Sequence, residues 1–407
     1  MIHLQKGPEV LAPAGDLERL QAAVRYGADA VYLGSTEFGM RASAASFGEE
    51  ELPQAVALAH GAGVKVYLTC NTLPRNSEID RMGEFLRWAG SCGVDAFIVT
   101  DLGVLSLLRE VLPEAEIHIS TQAGVVNWRT AAEFHRMGAK RVVLARELSL
   151  EEIREIRRRT PEELELEVFV HGAMCMSVSG RCLLSNYMTG RDANRGQCAQ
   201  PCRWNYRLVE EKRPGQYYPV FEDENGSYIL NAKDLCLLEH IRELIDAGVT
   251  SLKIEGRAKS AYYVSAVTNA YRIAVDGSLA DPKGWSCPDW LSEEVRKVSH
   301  REYSTGFLFG IPEQRCSEGS YVRTWDVMAI VDHWENGRAY CRQRNKFSDG
   351  ETLELLEPGK HPEPLLVSDI RNKDGEPVPD TRHANMEFSF DCPRPVVFGA
   401  ILRKQVE

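Results

Sequence analysis

The first 260 residues repeat one pattern, in which a short apolar run ends at a polar residue or glycine and an amphipathic segment follows. Short apolar runs rich in β-branched residues indicate buried strands, and longer amphipathic segments indicate helices. Eight stretches fit the strand pattern, and they are EVLAPAG at Glu9, DAVYLG at Asp29, KVYLTCN at Lys65, DAFIVTD at Asp95, EIHISTQ at Glu116, RVVLARE at Arg141, LEVFVHG at Leu166 and SLKIEGR at Ser251.

The segments between these strands, such as DLERLQAAVRYGA and SLEEIREIRRRT, predict helices. Several of them end in a glycine followed by alanine or valine, at Gly27, Gly93, Gly138 and Gly248. Glycine in the left-handed conformation ends a helix, and the apolar residue after it packs back on the helix. Strands that alternate with helices pair in parallel, and eight such units predict a closed (β/α)₈ TIM-like barrel. The alternative is an open doubly wound sheet, which the missing GxGxxG turn after the first strand disfavours.

Two regions break this pattern. About 80 residues separate the seventh strand from the eighth, so we expect a barrel over residues 1–310 with an insertion at about 171–240. Within the insertion, YYPVFEDENGSYILNAKDL predicts a hairpin, because Asn225-Gly226 favours a type I′ turn. From residue 311 to 407, short apolar runs alternate with turns rich in Gly, Pro and Asp, which predicts a small all-β domain, barrel-like or a sandwich.

Composition narrows the class of protein. The chain has 407 residues, of which 43% are hydrophobic and 26% charged, as in ordinary globular proteins. The start, MIHLQKGPEVLAPAG, has no apolar signal-peptide core and no apolar run reaches about 18 residues, so we expect a cytoplasmic protein without a membrane span. A net charge of −11 argues against a general polyanion binder, although a local basic patch is compatible with it.

Eleven cysteines in a reducing compartment indicate metal binding or redox chemistry rather than disulfides. Zinc sites usually contain two short Cys-x₂₋₄-Cys pairs, whereas iron–sulfur clusters accept more varied spacing in glycine-rich loops. A further candidate, Cys236 in NAKDLC, is predicted to open a helix whose N-terminus favours the thiolate. Four thiols lie within 28 residues of HGAMCMSVSGRCLLSNYMTGRDANRGQCAQPCRW, and they are Cys175, Cys182, Cys198 and Cys202.

Chemistry in a (β/α)₈ barrel occurs at the C-terminal ends of the strands, where the loops converge. Lys253, Glu255 and Arg257 alternate along the eighth strand, so they share a face and either bind an anionic substrate or pair with one another. His171 is either a hydrogen-bonding structural residue or a ligand or acid–base group. The polar residues that the predicted strands place at this end are Tyr32, Arg41, Asn71, Asp101, Gln122, Arg146, Glu147, His171, Lys253, Glu255 and Arg257. The cysteine segment leaves the seventh strand at the same end, so the thiols and the polar pocket would share one mouth.

Three segments together resemble the peptidase U32 family: LAPAGDLERLQAAVRYGADAVYLG, the cysteine segment, and LNAKDLCLLEHIRELIDAGVTSLKIEGRAKSAYYV. The resemblance covers about residues 7–275, and within the family it points to the members that help to make 5-hydroxyuridine at wobble position 34 of tRNA. It implies a 4Fe–4S cluster on Cys175, Cys182 and Cys198. The fourth ligand is Cys202 or Cys236, and we favour Cys236 because of its predicted helix N-terminus.

The resemblance further implies prephenate as an oxygen-linked co-substrate, with the tRNA anticodon loop and the iron–sulfur assembly machinery as partners. A dicarboxylate requires cationic partners. His171 or Glu255 would move a proton at the same mouth. The candidate cations for the dicarboxylate are Arg41, Arg191, Arg195, Lys253 and Arg257.

Two other functions stay open. The family name denotes collagenase-like peptidases, yet the sequence has no GxSxG or HExxH motif and no evident Cys–His nucleophile pair. The second alternative is a binding module in which the cluster is structural and the β-domain recognises RNA or a partner protein. For RNA, Arg191, Arg195 and Arg203 would contact phosphate, and Trp204 would stack on a base.

Overall fold

The computed structural model describes residues 7–39, 46–174, 184–191, 197–201, 207–208, 218–219, 233–310 and 321–406. Its first part contains twelve strands within these ranges, and they are β1 (Glu9–Pro13), β2 (Ala30–Gly34), β3 (Lys65–Cys70), β4 (Ala96–Val99), β5 (Glu116–Ile119), β6 (Arg141–Val143), β7 (Glu165–Ala173), β8 (Arg207–Leu208), β9 (Tyr218–Pro219), β10 (Asp234–Cys236), β11 (Ser251–Ile254) and β12 (Tyr303–Ser304).

Strands β1 to β7 and β11 form the predicted barrel. Each pairs in parallel with its neighbour, and β11 pairs with both β7 and β1, which closes the sheet. These are the eight strands that the apolar runs predict, so the TIM-like barrel is confirmed. The α-helices within the described ranges are α1 (Leu17–Arg25), α2 (Glu51–Gly61), α3 (Ile79–Ser91), α4 (Leu102–Val111), α5 (Trp128–Arg136), α6 (Leu150–Arg159), α7 (Leu184–Thr189), α8 (Ile241–Asp246), α9 (Ala261–Ala280) and α10 (Asp289–Glu294).

Local sequence signals explain where these helices begin and end. The Asp16 side chain accepts a hydrogen bond from the Arg19 backbone N–H at 2.9 Å, which caps α1. Ser149 and Glu152 form a capping box at the start of α6. The glycines after the helices have positive φ, as Gly27 and Gly138 show at 95° each, so the predicted helix ends are confirmed.

Two short strands extend the sheet beyond the barrel at the end of β7. β10 runs antiparallel to β7, with Cys236 opposite His171 and Asp234 opposite Ala173, and β12 pairs with β10. Within the insertion, β8 pairs antiparallel with β9. The predicted turn at Asn225-Gly226 lies outside the described residues.

The last seven strands form one antiparallel sheet in the order β16-β15-β19-β13-β14-β18-β17. The sheet curls as a half-barrel around a core that includes Phe347, Phe388 and Phe390, and it confirms the predicted small all-β fold. We call residues 325–405 the β-domain. Its strands are β13 (Trp325–Glu335), β14 (Arg338–Gln343), β15 (Thr352–Leu356), β16 (Glu363–Leu366), β17 (Ser368–Asn372), β18 (Glu387–Asp391) and β19 (Ile401–Gln405).

The β-domain packs against α1 and α9 of the barrel. The buried Tyr26 hydroxyl, just after α1, lies 3.2 Å from the Leu356 carbonyl and 3.1 Å from the Gly399 carbonyl. The Gly359 backbone N–H donates to Asn269 Oδ1 in α9 at 2.7 Å. These contacts join the barrel and the β-domain through buried polar groups as well as through apolar packing.

Candidate functional site

The barrel interior below the mouth holds a buried ion-pair network. Lys253 Nζ donates to Glu167 Oε1 at 2.6 Å and lies 4.6 Å from the centre of the Tyr32 ring. Arg141 Nη1 donates to Glu167 Oε2 at 3.1 Å. Burial alone would raise the pKa of Glu167, but Lys253 and Arg141 together hold that pKa at about 2. Lys253, expected to bind substrate, therefore lies inside the barrel beside a carboxylate on β7.

The register of β11 separates Lys253 from its two predicted companions. The pairing of β11 with β7 shifts between Lys253 and Ile254, and β11 ends at Ile254. Glu255 and Arg257 therefore lie in the loop beyond the strand. The strand alternation that the prediction assumed therefore does not continue to Glu255 and Arg257, because it holds only along an extended, paired strand.

Glu255 meets Arg146 at the mouth. The Glu255 backbone N–H donates to the His171 carbonyl at 2.8 Å, which fixes the start of the loop. Arg146 Nη1 donates to the Ala173 carbonyl at 2.6 Å, and its guanidinium lies 3.9 Å from the centre of the Phe169 ring. Arg146 Nη2 is 3.8 Å from Glu255 Oε2. The ends of β6, β7 and β11 thus bring one guanidinium and one carboxylate together.

Arg257 lies across the ends of β2 and β3. Its side chain is buried, and its Nη1 donates to Thr69 Oγ1 at 3.0 Å. A Cβ at Gly34 would lie 2.3 Å from the same Nη1, so the absence of a side chain at position 34 makes room for the guanidinium. The mouth therefore carries a second cation, whose position depends on a glycine at the end of β2.

His171 is enclosed by three tyrosine rings, with centroids 5.9 Å away for Tyr263, 5.6 Å for Tyr271 and 5.1 Å for Tyr303. Tyr303 Oη donates to the Val295 carbonyl at 2.7 Å and lies 3.2 Å from His171 Nε2. Burial lowers the pKa of His171 to about 3. The imidazole is therefore neutral at physiological pH.

Cys236 occupies a different local structure from the one predicted. It is the last residue of β10, and a short 3₁₀ turn at Leu238–His240 precedes α8. The prediction that it opens a helix is wrong, because pairing with the end of β7 holds it in a strand. Burial raises the pKa of its thiol to about 11, although a hydrogen bond from the Leu238 backbone acts in the opposite direction.

The described thiols at this end have the donor chemistry that a cluster requires. Cys198 is exposed, and its Sγ accepts a hydrogen bond from the Gln200 backbone N–H at 3.4 Å. Cys236 receives a comparable contact from Leu238. Backbone N–H groups directed at sulfur are a common feature around iron–sulfur ligands. Among the described residues, no three His, Cys, Asp or Glu side chains are arranged to hold a metal.

Of the remaining predicted site residues, Arg191 lies within the described ranges. Arg191 is exposed just after α7, and its backbone N–H donates to Thr189 Oγ1 at 3.3 Å. The following candidates lie outside the described residues: Arg41, Cys175, Cys182, Arg195 and Cys202. Their proposed roles therefore stay predictions.

A cavity of about 250 Å³ lies at the mouth and is lined in part by Glu255, Ala173 and Gln200. Gln200 belongs to the cysteine segment, so a described part of that segment reaches the barrel mouth. Lys259 and Tyr321 also line the cavity, and neither was identified from the sequence. Lys259 follows Arg257 by two residues and extends the same loop, whereas Tyr321 reaches the mouth through a tertiary contact that the sequence does not signal.

No helix in the described ranges combines the length and apolar character of a membrane span.

Two family models match the chain: Peptidase family U32 matches residues 15–318, and Peptidase family U32 C-terminal domain matches residues 323–403. The chain therefore belongs to peptidase family U32, and the resemblance seen in its sequence is confirmed.

Three individual relatives show which kinds of family member this chain is similar to. The chain is 37% identical to tRNA hydroxylation protein P1 of Bacillus subtilis, over 98% of this chain and 96% of that protein. It is 38% identical to tRNA hydroxylation protein P of Escherichia coli, over 91% of each chain. It is 36% identical to the 23S rRNA 5-hydroxycytidine C2501 synthase of Escherichia coli, over 74% of this chain and 45% of that protein.

Proposed function

We propose that this chain is an enzyme of tRNA modification that hydroxylates uridine 34 to 5-hydroxyuridine without molecular oxygen. The nearly full-length similarity to two proteins named for tRNA hydroxylation carries the proposal. That similarity spans the barrel, the cysteine segment and most of the β-domain, so it concerns the whole architecture rather than the barrel alone. A third relative named for hydroxylation of an rRNA base supports the same class of reaction.

The barrel mouth would receive the wobble base. Bases of an anticodon loop are largely unpaired, so moving one into a protein cavity requires little unstacking energy. The cavity beside Glu255 lies at the end of the barrel where (β/α)₈ enzymes carry out chemistry. Glu255 would take up or release a proton there, because it lines that cavity.

Prephenate is the proposed co-substrate, and its two carboxylates would bind cations at the mouth. Arg257 supplies a guanidinium group at the ends of β2 and β3, and Arg146 supplies one at the end of β7. Guanidinium matches carboxylate geometry and forms strong charge-assisted hydrogen bonds. Arg41, Arg191 and Arg195 are further candidates for the same ligand.

The cysteines would hold a 4Fe–4S cluster, loaded by the iron–sulfur assembly machinery. Its ligands would be Cys175, Cys182 and Cys198, with Cys236 or Cys202 as the fourth. When bound, such a cluster supplies one-electron redox chemistry. The backbone N–H groups directed at Cys198 and Cys236 support this assignment.

Mass spectrometry of tRNA nucleosides tests the function. In cells that lack this gene and any paralogue, 5-hydroxyuridine and its derivatives should fall to background, and the gene should restore them from a plasmid. A strain unable to make prephenate should show the same loss. Unchanged nucleosides in the deletion strain would contradict the proposal, and cleavage of gelatin by the purified protein would favour the peptidase alternative.

A further inference from the structure

A cleft of about 610 Å³ lies between the barrel and the β-domain, and we call it the interdomain cleft. Its barrel side is formed by α1, by the loop at Ala258–Ser260 and by the first turn of α9. Its other side is formed by Arg323 and the start of β13, and by Arg344 and Asn345, which follow β14. Its volume lies within the range of protein ligand sites, about 300–1,000 Å³.

The interdomain cleft is basic in an acidic protein. The whole chain has a net charge of −11, whereas the cleft lining contains five cationic side chains and two carboxylates. The cleft is therefore a local basic patch, which a negative net charge of the whole chain does not exclude. Such a patch favours an anionic ligand. The cations are Arg19, Arg25, Lys259, Arg323 and Arg344, and the carboxylates are Glu18 and Asp326.

Two of the arginines are held in exposed pairs. Arg323 has 65% of its side chain exposed and lies 2.6 Å from Asp326. Arg344, on the β-domain, lies 2.9 Å from Glu18 on α1, so this pair crosses the cleft. Exposed ion pairs contribute little to stability. Both guanidinium groups can therefore donate hydrogen bonds to phosphate oxygens at small cost to the fold.

Aromatic rings accompany these cations. Trp325 lines the cleft, and Tyr321, 42% exposed, lines the adjoining cavity at the barrel mouth. Lys259 Nζ lies 4.3 Å from the centre of the Tyr321 ring. Cations that follow a phosphate backbone, combined with aromatic surfaces for bases, characterise sites for single-stranded nucleic acid. A peptide would supply neither the regular negative charge nor the successive flat bases.

The cleft is continuous with the barrel mouth. Ala258, Lys259 and Ser299 line both the interdomain cleft and the 250 Å³ cavity, and Glu255 lines that cavity. A single-stranded nucleic acid lying in the cleft therefore reaches the proposed reaction site without leaving the protein surface. The β-domain supplies one wall of this path.

We infer that the interdomain cleft binds the single-stranded sugar–phosphate backbone next to the nucleotide that enters the barrel mouth. Arg323 and Arg344 contact phosphates, and Tyr321 stacks on a neighbouring base. The identity of the ligand as RNA rests on the proposed function. The location of its binding site rests on the charge, the aromatic rings and the continuity of the cleft with the mouth.

Fluorescence anisotropy with a labelled RNA stem-loop of the anticodon-arm type tests the inference. The full chain, purified without oxygen, should bind this RNA, and the double variant Arg323→Gln/Arg344→Gln should bind at least about tenfold more weakly. Loss of two phosphate contacts should also reduce the slope of log affinity against log salt by about 1 to 2. The double variant should melt at the same temperature as the wild type, because both side chains are in exposed pairs.

The matched control is Arg136→Gln/Arg158→Gln. Arg136 pairs with Glu133 three residues away, as Arg323 pairs with Asp326, and both control arginines are exposed on helices outside the cleft. This variant changes the net charge equally and should bind RNA like the wild type. A separate pair of variants tests stacking: Tyr321→Ala should weaken binding at least about fivefold, whereas Tyr321→Phe should keep it.

Wild-type affinity in both cleft variants would overturn the inference, as would equal losses in the cleft and control variants. Failure of the wild type to bind the RNA, or displacement of RNA by an acidic peptide at lower concentration than by unlabelled RNA, would overturn it as well. If the cleft variants lose RNA binding while the deletion strain retains 5-hydroxyuridine, the cleft is an RNA site and the proposed function is wrong. The binding experiment and the nucleoside experiment therefore distinguish failure of the cleft proposal from failure of the proposed function.

Discussion

Arg403 and Glu294 form a buried bidentate ion pair between the β-domain and the barrel. Arg403 Nη1 lies 2.5 Å from Glu294 Oε1, and Nη2 lies 2.6 Å from Oε2. The Arg403 side chain is 0% exposed, and its Nη1 also donates to the Tyr262 hydroxyl at 3.0 Å. This pair joins β19 to α10 close to the interdomain cleft, so it fixes one wall of the cleft relative to the other.

Breaking this pair should destabilise the protein strongly. Arg403→Met leaves the Glu294 carboxylate buried without its main partner, which typically costs about 3–5 kcal/mol. Urea unfolding followed by tryptophan fluorescence measures the loss. Arg403→Met/Glu294→Leu should recover much of it, because an apolar pair leaves less unpaired charge. Arg382→Met, which removes an exposed partner of Asp380, should leave the unfolding curve unchanged. A single Arg403 variant as stable as the wild type would contradict the account.

Acid should destabilise the barrel through Glu167. Its pKa is about 2 in the folded protein and about 4.5 when unperturbed, so the stabilisation is complete above the higher value and is lost as pH falls through the interval. The free energy of unfolding of the wild type should therefore drop more steeply between about pH 5 and 3 than that of Glu167→Gln. The exposed Glu84→Gln variant should follow the wild type. Parallel curves for all three proteins would show that Glu167 does not carry this effect.

Gly34→Ala should displace Arg257 without removing its charge. The added Cβ would lie 2.3 Å from Arg257 Nη1, so the guanidinium must move from its place at the mouth. Loss of one charge-assisted contact to the co-substrate should lower cellular 5-hydroxyuridine about tenfold or more, and Arg257→Ala should act in the same direction. Gly61→Ala, with no atom within 4 Å of its added Cβ, is the matched control. Normal modification with Gly34→Ala would argue against a substrate contact by Arg257.

Single cysteine substitutions should identify the cluster ligands. Protein reconstituted without oxygen should contain about four irons per chain, and Cys175→Ala or Cys182→Ala should abolish its broad visible absorbance. Cys236→Ala should lose or convert the cluster, whereas Cys202→Ala and the control Cys92→Ala should keep it. An unaltered electron paramagnetic resonance spectrum of reduced Cys236→Ala would make Cys202 the fourth ligand. Stoichiometric zinc in a colourless protein would contradict an iron–sulfur site.

The sequence predicts the barrel well because its signals are local. Buried apolar runs, amphipathic helices and glycines such as Gly27 and Gly138 each act within a few residues, and their order determines the parallel topology. The site depends on contacts between distant segments. Lys253 pairs with Glu167 on β7, and His171 meets Tyr303 beyond α10. No local pattern reveals such partners, so the sequence identified Lys253 and His171 but neither Glu167 nor Tyr303.

Cys236 illustrates the same limit. Its flanking residues resemble a helix start, yet a three-residue pairing with the end of β7 determines its conformation. The interdomain cleft is a further example, because it is formed by residues from α1, α9 and β13 that are far apart in the chain. The charge of the cleft cannot be read from a composition whose net value is −11.

The most direct test of the central claim is the amount of 5-hydroxyuridine in tRNA from a strain that lacks this gene and any paralogue. The strain should carry a plasmid with the wild-type gene, the Cys175→Ala variant or no insert, and nucleosides should be quantified by mass spectrometry. The account predicts that the wild-type gene restores 5-hydroxyuridine and its derivatives, while the variant and the empty plasmid leave them at background. Wild-type levels of these nucleosides in the strain with the empty plasmid would contradict it.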